Sequence, residues 1–535
     1  MKSTPPPSPQ VKPWDPSDRA NPGSRKPGTL IRRACRHALR AVAPALISIL
    51  VTTAAMAAAR GLPRPNIVLI VADDLGYGGL SCYGNKEYRT PHLDRMAAEG
   101  VKLTNYQVTT SGCAPSRAAL LSGRYHFRSG IIRNPDPDFG LNDIGIPDSE
   151  VLLSEALKGS GRATMCIGKW HLGHEPRFYP RRHGFDQYFG LMYSNSSRPA
   201  MLVENERVVE YPVVQANLTR NSTDRAVKFL GDNANRPFFL YVPYSMPHYP
   251  LAASEDFYTP ATPDDLYSDV IREMDHSVGR ILGKLDELGI ARQTLVLFTS
   301  DNGPWYGGST AGLRGMKGSA FEGGIRVPMI ARWPGNLPSG VVREQPCSSV
   351  DLFPTLLGFA GVKLPPNREL DGVDIRETLR DGTRLPDRPL FSLVGNRVAT
   401  VRRGRWKLHV VPPSFPNWTE ETFRPFRPDG VTILAPTEQY PGTAFPGVRT
   451  GDPPAPTMLF DLDRDPAEQH NVADAHPEIV GRMRADARAI GAQIPQELQM
   501  PAPQPFRRVP GPGRVTRDRS RPLEQVIGEV TRHAP

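Results

Sequence analysis

The sequence predicts an α/β fold: a sandwich of helices around a mixed, mainly parallel sheet, followed by a smaller C-terminal α+β unit. Three observations carry this prediction. Apolar, β-rich runs alternate with helical segments, as parallel strands joined by crossover helices do. Each run closes on polar or charged residues, and in such folds ligands sit at the carboxyl ends of the strands. Beyond Pro389 the pattern changes to short strands, with Val398–Arg402 and Trp406–Val410 as two of them, and then a helix from Pro477 to Arg488. No internal repeat interrupts the series. At 535 residues, 39% hydrophobic and 22% charged, the chain has the composition of a globular protein with room for two domains.

The expected organisation is a leader over 1–60, a main unit over 62–390, a C-terminal unit with antiparallel sheet and helix over 391–500, and a disordered basic tail over 501–535. Within the leader, Arg32, Arg33, Arg36 and Arg40 precede an apolar run from Ala41 to Ala59 with small residues around Ala55-Met56-Ala57. That is the layout of an export signal, and the protein is expected to be periplasmic or secreted. If the segment 41–59 is not cleaved, it is long enough to anchor the chain in a membrane. The net charge of +10 sits in the two ends. Residues 1–60 hold ten Lys/Arg and two Asp, residues 501–535 hold seven Arg and three acids, and the body is left at −2. A near-neutral body with basic ends excludes a nucleic-acid partner, whose basic face would lie within the fold. Five cysteines make no disulfide framework, and a single pair among Cys82, Cys166 and Cys347 stays open.

Taken in chain order, the strand ends carry the chemistry. Asn66–Ala72 is the first buried strand and ends in Asp73-Asp74; the run Leu295–Ser300 ends in Asp301-Asn302-Gly303. Alone, either pair reads as a turn. Together they bring three carboxylates and an amide to one sheet edge, where like charges need a cation to offset them. All-oxygen ligands suit a hard divalent ion, Ca²⁺ or Mg²⁺. Between these strands lies Cys113-Ala114-Pro115-Ser116-Arg117, read as a cysteine set immediately before a short helix that ends at Gly123. A helix N-terminus favours an anion, and Arg117 adds a permanent positive charge. The run Ala163–Gly168 leads into Lys169-Trp170-His171. Strand periodicity puts Lys169 and His171 on one side, an ammonium to neutralise charge beside an imidazole to move a proton. Pro237–Val242 leads to Pro247-His248, and Lys317 lies in a glycine-rich stretch, 314–324, where backbone can approach a ligand.

In this order, the segments resemble the type I sulfatases of the alkaline phosphatase superfamily, of the arylsulfatase A and N-acetylgalactosamine-6-sulfatase type. The resemblance runs from about Asn66 to Gly335 and includes Val71-Ala72-Asp73-Asp74-Leu75-Gly76, the C-x-P-S-R signature at Cys113, Gly168-Lys169-Trp170-His171-Leu172-Gly173, Met246-Pro247-His248 and Thr299-Ser300-Asp301-Asn302-Gly303. Later landmarks are Asp351-Leu352-Phe353-Pro354-Thr355-Leu356 and Leu459-Phe460-Asp461-Leu462-Asp463-Arg464-Asp465-Pro466. The resemblance implies an alkaline-phosphatase-like sandwich and hydrolysis of sulfate monoesters. It implies that Cys113 is converted to formylglycine by a formylglycine-generating enzyme. Asp73, Asp74, Asp301, Asn302 and the modified Cys113 would hold one Ca²⁺. Arg117 would stabilise the formylglycine hydrate. Lys169, His248 and Lys317 would grip the sulfate and help the alcohol leave, and His171 would act as base.

The expected substrate is a sulfated small molecule or, because an exported hydrolase meets polysaccharide, a sulfated carbohydrate. Specificity is expected from loops at 192–201 and 305–313 and from the C-terminal unit; Tyr193, Trp305 and Tyr306 either offer rings to a sugar or aryl group or pack within solvent-facing loops, and a Pro-rich loop over 412–456 is expected near the substrate mouth. Two other readings stay open: a phosphonate or phosphodiester hydrolase of the same superfamily, and a non-catalytic binder of sulfated glycans in which Cys113 is never modified.

Overall fold

The computed structural model describes residues 64–137, 140–197, 200–259, 266–305, 308–413 and 450–498. The expected leader, the tail beyond 500 and most of the 412–456 loop lie outside the described residues. The strands, in chain order, are β1 (Asn66–Ala72), β2 (Val101–Leu103), β3 (Tyr106–Gln107), β4 (Ala163–Lys169), β5 (Gln187–Leu191), β6 (Leu202–Glu204), β7 (Arg207–Glu210) and β8 (Phe238–Pro243). They continue as β9 (Thr294–Ser300), β10 (Met329–Arg332), β11 (Val341–Arg343), β12 (Cys347–Ser348), β13 (Leu390–Val394), β14 (Arg397–Arg403), β15 (Trp406–His409) and β16 (Met458–Asp461).

One sheet has the order β11-β2-β10-β9-β1-β8-β4-β5-β6-β7. Its central strands β9, β1, β8, β4 and β5 run parallel. Antiparallel neighbours close both sides, β10 against β9 and β2, and β6 against β5 and β7. Every residue of β1 is buried, and its side chains divide by period two between two cores. Ile67, Leu69 and Val71 face one core with Leu120 and Leu121 of the helix Cys113–Ser122 and Leu356 and Leu357 of the helix Leu352–Ala360. Val68, Ile70 and Ala72 face the other, with the helices Pro91–Ala98, Leu218–Asp232 and Leu266–Glu287. A buried large aliphatic side chain contributes about 1.5–3 kcal/mol. The two cores hold the sheet, and its strand ends are left to carry charge.

The second sheet, β13-β14-β15-β16, is antiparallel throughout. Leu393, Val401, Leu408 and Leu459 pack with Met483, Ala487 and Ile490 of the helix Pro477–Gly491, and this core also takes in Tyr125 and Phe127. The Leu393 amide donates to the Thr109 carbonyl at 2.8 Å, so β13 is tied to the segment that enters the Cys113 helix.

Some local expectations shift. The helix begins at Cys113 itself, with Gly112 as its N-cap, so the cysteine occupies the first turn instead of preceding it. The helix at Pro477 runs on to Gly491. Cys82, Cys166 and Cys347 are all free thiols. Among the described residues no helix is long and apolar enough to cross a membrane.

Candidate active site

Four adjacent parallel strands and one helix deliver the candidate residues to a single point. β1 runs into Asp73 and Asp74, β9 into Asp301 and Asn302, β4 ends on Lys169, and the segment after β8 carries His248. Asp74 takes a left-handed backbone (φ 67°) that turns the chain at the sheet edge, and its amide donates to Asp301 Oδ1 at 3.1 Å. The two acidic strand ends are therefore bound to each other. Ser300 extends that link: its Oγ accepts from the Leu75 amide at 2.9 Å and donates to the Asn302 carbonyl at 2.9 Å.

Cys113 Sγ stands 3.6 Å from Asp73 Oδ1, 4.0 Å from Asp74 Oδ1 and 3.2 Å from Lys317 Nζ. Three cations face the three carboxylates. Lys169 Nζ donates to Asp73 Oδ2 at 2.6 Å, and Lys317 Nζ lies 2.7 Å from both oxygens of Asp74. Arg117 donates to Asp301 Oδ2 from Nε at 2.9 Å and from a terminal nitrogen at 2.7 Å, and lies 3.2 Å from Asp73. A further Arg117 N–H reaches the Lys169 carbonyl at 2.9 Å, locking the end of β4 to the Cys113 helix. Three carboxylates thus face three cationic side chains, and buried ion pairs of this kind persist only when each charge is met.

The electrostatics follow from this pairing. Burial penalises the Asp73 charge, yet Lys169 and Arg117 outweigh it and hold the carboxyl well below its usual range. Burial pushes Asp301 up to about 7 despite Arg117, with Asp73 and Asp74 adding to the rise. Burial pushes the Cys113 thiol up to about 12 although Lys169 and Lys317 oppose it. Lys317 is held well above its ordinary value, its burial overcome by Asp74 and Cys113.

Burial disfavours the charged form of both histidines. Burial, then Lys317 and Lys169, bring His248 down to about 3, and burial, then Lys169 and Arg117, hold His171 well below its usual value. His248 Nδ1 donates to the Tyr249 carbonyl, which assigns the tautomer and leaves Nε2 as an acceptor 3.8 Å from Asp74 Oδ2. Two acceptors facing each other leave a place for a cation or a proton between them. His171 reaches the site by a different route from the expected one. β4 stops at Lys169, and His171 sits two residues later with φ 59°, so a left-handed turn and not strand alternation brings it in. Its Nδ1 is buried without a partner.

Asn302 supplies the test of metal binding. Its Nδ2 donates to Asp74 Oδ1 at 2.7 Å and to the Gly303 carbonyl at 2.9 Å, while its Oδ1 is buried with no partner. An orphaned buried carbonyl beside three carboxylates fits a hard cation. Asp74, Cys113 and His248 form one set whose donor atoms lie within 4.8 Å of one another, and Asp73, Cys113 and Asp301 form a second.

Sequence reasoning missed Asn134, whose Oδ1 accepts from the Ala114 amide at 3.0 Å and caps the Cys113 helix. It also missed Ser111, whose Oγ binds the Gly324 carbonyl and the Gly318 amide at 2.8 and 2.9 Å. Single polar residues on loops carry no sequence signal for such roles. Tyr193 is a correction: it is 1% exposed and packs edge-on against His174 at 5.5 Å, so it belongs to the core and not to a sugar-stacking surface. Trp305 lies 6.2 Å from Tyr249, which stacks on His248. Tyr306 lies outside the described residues.

Comparison with known proteins gives a consistent picture. The family profile described as Sulfatase matches residues 65–362, and that described as the C-terminal region of aryl-sulfatase matches residues 385–506. The N-acetylgalactosamine-6-sulfatase of Sus scrofa is 39% identical over 473 residues, 82% of this chain and 87% of its own. The steryl-sulfatase of Mus musculus is 34% identical over 559 residues, 86% of this chain and 87% of its own. Among solved structures, Ps i-CgsB in complex with k-i-k-neocarrahexaose superposes with a TM-score of 0.67 at 27% identity, covering 81% of this chain and 94% of that one.

Proposed function

The chain belongs to the sulfatase family, and from that membership we propose that it is an exported hydrolase of sulfate monoesters on sulfated carbohydrates, acting through formylglycine made from Cys113 and assisted by Ca²⁺. It is a sulfuric ester hydrolase, as its named relatives are. The observation that carries the mechanism is the position of Cys113 at a helix N-terminus, against Asp73, Asp74 and Lys317 at the carboxyl edge of the sheet. The carbohydrate assignment draws on the N-acetylgalactosamine-6-sulfatase relatives and on the neocarrahexaose complex of the similar structure. Export draws on the charged and apolar layout of the leader.

In this reading Asp73, Asp74, Asp301 and Asn302 would hold Ca²⁺, with the modified Cys113 completing the site. An ion held there would add positive charge to the cluster and so favour an anionic ester. Formylglycine at position 113 would, as its hydrate, supply two geminal hydroxyls: one to displace the alcohol at sulfur and one whose deprotonation would expel sulfate and leave an aldehyde for water to rehydrate. A formylglycine-generating enzyme is then the partner needed for maturation. The chain's own residues do the rest. Lys169 and Lys317 bind the ester oxygens in place of part of their present pairing with Asp73 and Asp74. Charge developing on the leaving oxygen meets fixed cations in a buried site, where such stabilisation is strongest. The proton lost by the attacking hydroxyl passes to the leaving oxygen by way of His248, held by its bond to Tyr249 with Nε2 as the acceptor, and neutral His171 accepts the proton released in the second half of the reaction. Arg117 fixes the carboxylate of Asp301 and the end of β4 around the nucleophile.

The test is peptide mass spectrometry across Cys113 on protein made with a maturation system, followed by sulfate release from sulfated sugars. Exchange of sulfur for oxygen at Cys113 together with sulfate release supports the reading. An unmodified thiol beside a fully modified control substrate overturns it and favours a binder. Faster release of phosphate than of sulfate from matched esters favours a phosphoester hydrolase.

A further inference from the structure

A buried cluster outside the site connects the second sheet to the loop that carries Lys317. Glu322, at the end of that loop, is fully buried, as are Glu468, Lys407 and His409 from the C-terminal unit. Lys407 Nζ lies 2.9 Å from Glu322 Oε1 and 3.1 Å from Glu468 Oε1. Glu468 Oε2 accepts from the Glu322 amide, and its Oε1 accepts from His409 Nε2 at 2.7 Å. The start of the loop is held by the same partner: Arg314 donates to the Glu468 carbonyl at 2.8 Å and to the Asp452 carbonyl at 2.7 Å. Both ends of the 314–322 segment are thus fastened to Glu468. Glu468 itself adopts a left-handed backbone (φ 53°), a conformation that costs a non-glycine residue free energy and persists where surrounding contacts over-determine it.

From this cluster, rigid backbone bonds lead to the reacting groups. The Gly323 amide donates to the Arg314 carbonyl at 2.7 Å, and the Gly324 carbonyl accepts from Ser111 Oγ and from the Gly303 amide, both at 2.8 Å. Ser111 lies two residues before Cys113, and Gly303 follows Asn302. The Lys317 amide donates to the Pro304 carbonyl at 2.9 Å. Buried charges of this kind are a poor source of stability, since apolar residues of equal volume often hold a fold as well. Their directional bonds do fix geometry, and a misplacement of about 1 Å can cost about 100-fold in rate.

We propose that Lys407, Glu322 and Glu468 are positioning residues for Lys317, so that the second sheet sets the placement of a sulfate-gripping ammonium it never touches. This rests on the role given to Lys317 above. The test uses matured protein and a series of aryl sulfates whose leaving phenols differ in acidity, comparing wild type, Lys407→Met, Lys317→Ala and the double variant. Lys407→Met is expected to lower kcat by about 10- to 100-fold, to change KM less, and to steepen the dependence on leaving-group acidity toward that of Lys317→Ala. In the double variant the two losses are not expected to multiply, because both act through one ammonium. A uniform fall across the series with the wild-type slope, or losses that multiply, overturns the proposal, since partial unfolding lowers the active fraction without altering the slope. If Lys407→Met does not fold, Glu468→Gln, which keeps the shape and one acceptor, answers the same question. A wild-type slope in Lys317→Ala overturns the role of Lys317 and this inference with it, whereas a matured wild type that turns over no sulfate ester overturns the functional reading itself.

Discussion

At the scale of single residues, the proposed mechanism divides the side chains of the site between those that would make the reaction and those that would hold an ion. Cys113→Ser keeps one hydroxyl where the mechanism needs two. It is expected to accept a sulfuryl group from an ester and retain it, seen by intact mass as a stable adduct with less than one turnover; free turnover by this variant would contradict the two-hydroxyl mechanism. Asn302 has the one amide oxygen in the cluster that is buried without a partner. Asn302→Ala is therefore expected to raise the Ca²⁺ concentration for half-maximal activity by at least tenfold, the loss of roughly 1.4 kcal/mol of binding. Chelation should lower the unfolding temperature of the wild type more than that of the variant, because a ligand stabilises only the fold that binds it. An unchanged Ca²⁺ requirement would remove Asn302 from the ligand set.

At the scale of elements, the strand ends and the Cys113 helix were legible because their signals are local. A continuous apolar run reads as a buried strand, and acidic pairs after two such runs must meet if the strands are neighbours, as β1 and β9 are. The left-handed turn at His171 was not legible, since strand alternation predicts the same side by another path. Nor was the Lys407 cluster: its members come from residues 314, 322, 407, 409 and 468, and no pattern within a window relates them. Helix ends fall between these cases. Gly123 closes the Cys113 helix at φ 70°, as the sequence implies, but the structure adds that a Cβ there would stand 2.7 Å from Phe353 Cβ. Gly123→Ala therefore meets both backbone strain and a contact that must give. It is expected to destabilise the fold by about 2–4 kcal/mol, measured as a drop in the denaturant midpoint with an unchanged slope. A loss under about 0.5 kcal/mol would mean that the helix end relaxes freely.

At the scale of the whole molecule, the two sheets are joined by buried polar contacts as well as by the shared core around Tyr125 and Phe127, and this makes their union sensitive to acid. His126 is fully buried, and its Nε2 lies 2.8 Å from the Gly395 carbonyl, in the turn between β13 and β14. Burial brings its pKa down to about 4, with the bond to Gly395 opposing, so the ring is neutral in the fold and Nε2 is the donor. The sign follows from proton counting. Between the unfolded value of about 6.5 and the folded value, the unfolded chain binds a proton that the folded chain does not. Stability from this residue is therefore present above about pH 6.5 and is lost as the pH falls toward 4. At pH 5 the loss amounts to about 2 kcal/mol. His126→Gln cannot titrate but still offers an N–H to Gly395. Between pH 7.5 and pH 5 the wild type is expected to lose about 2 kcal/mol more than this variant, read from denaturant unfolding at the two pH values. Equal losses would show that His126 takes up its proton without separating the two sheets.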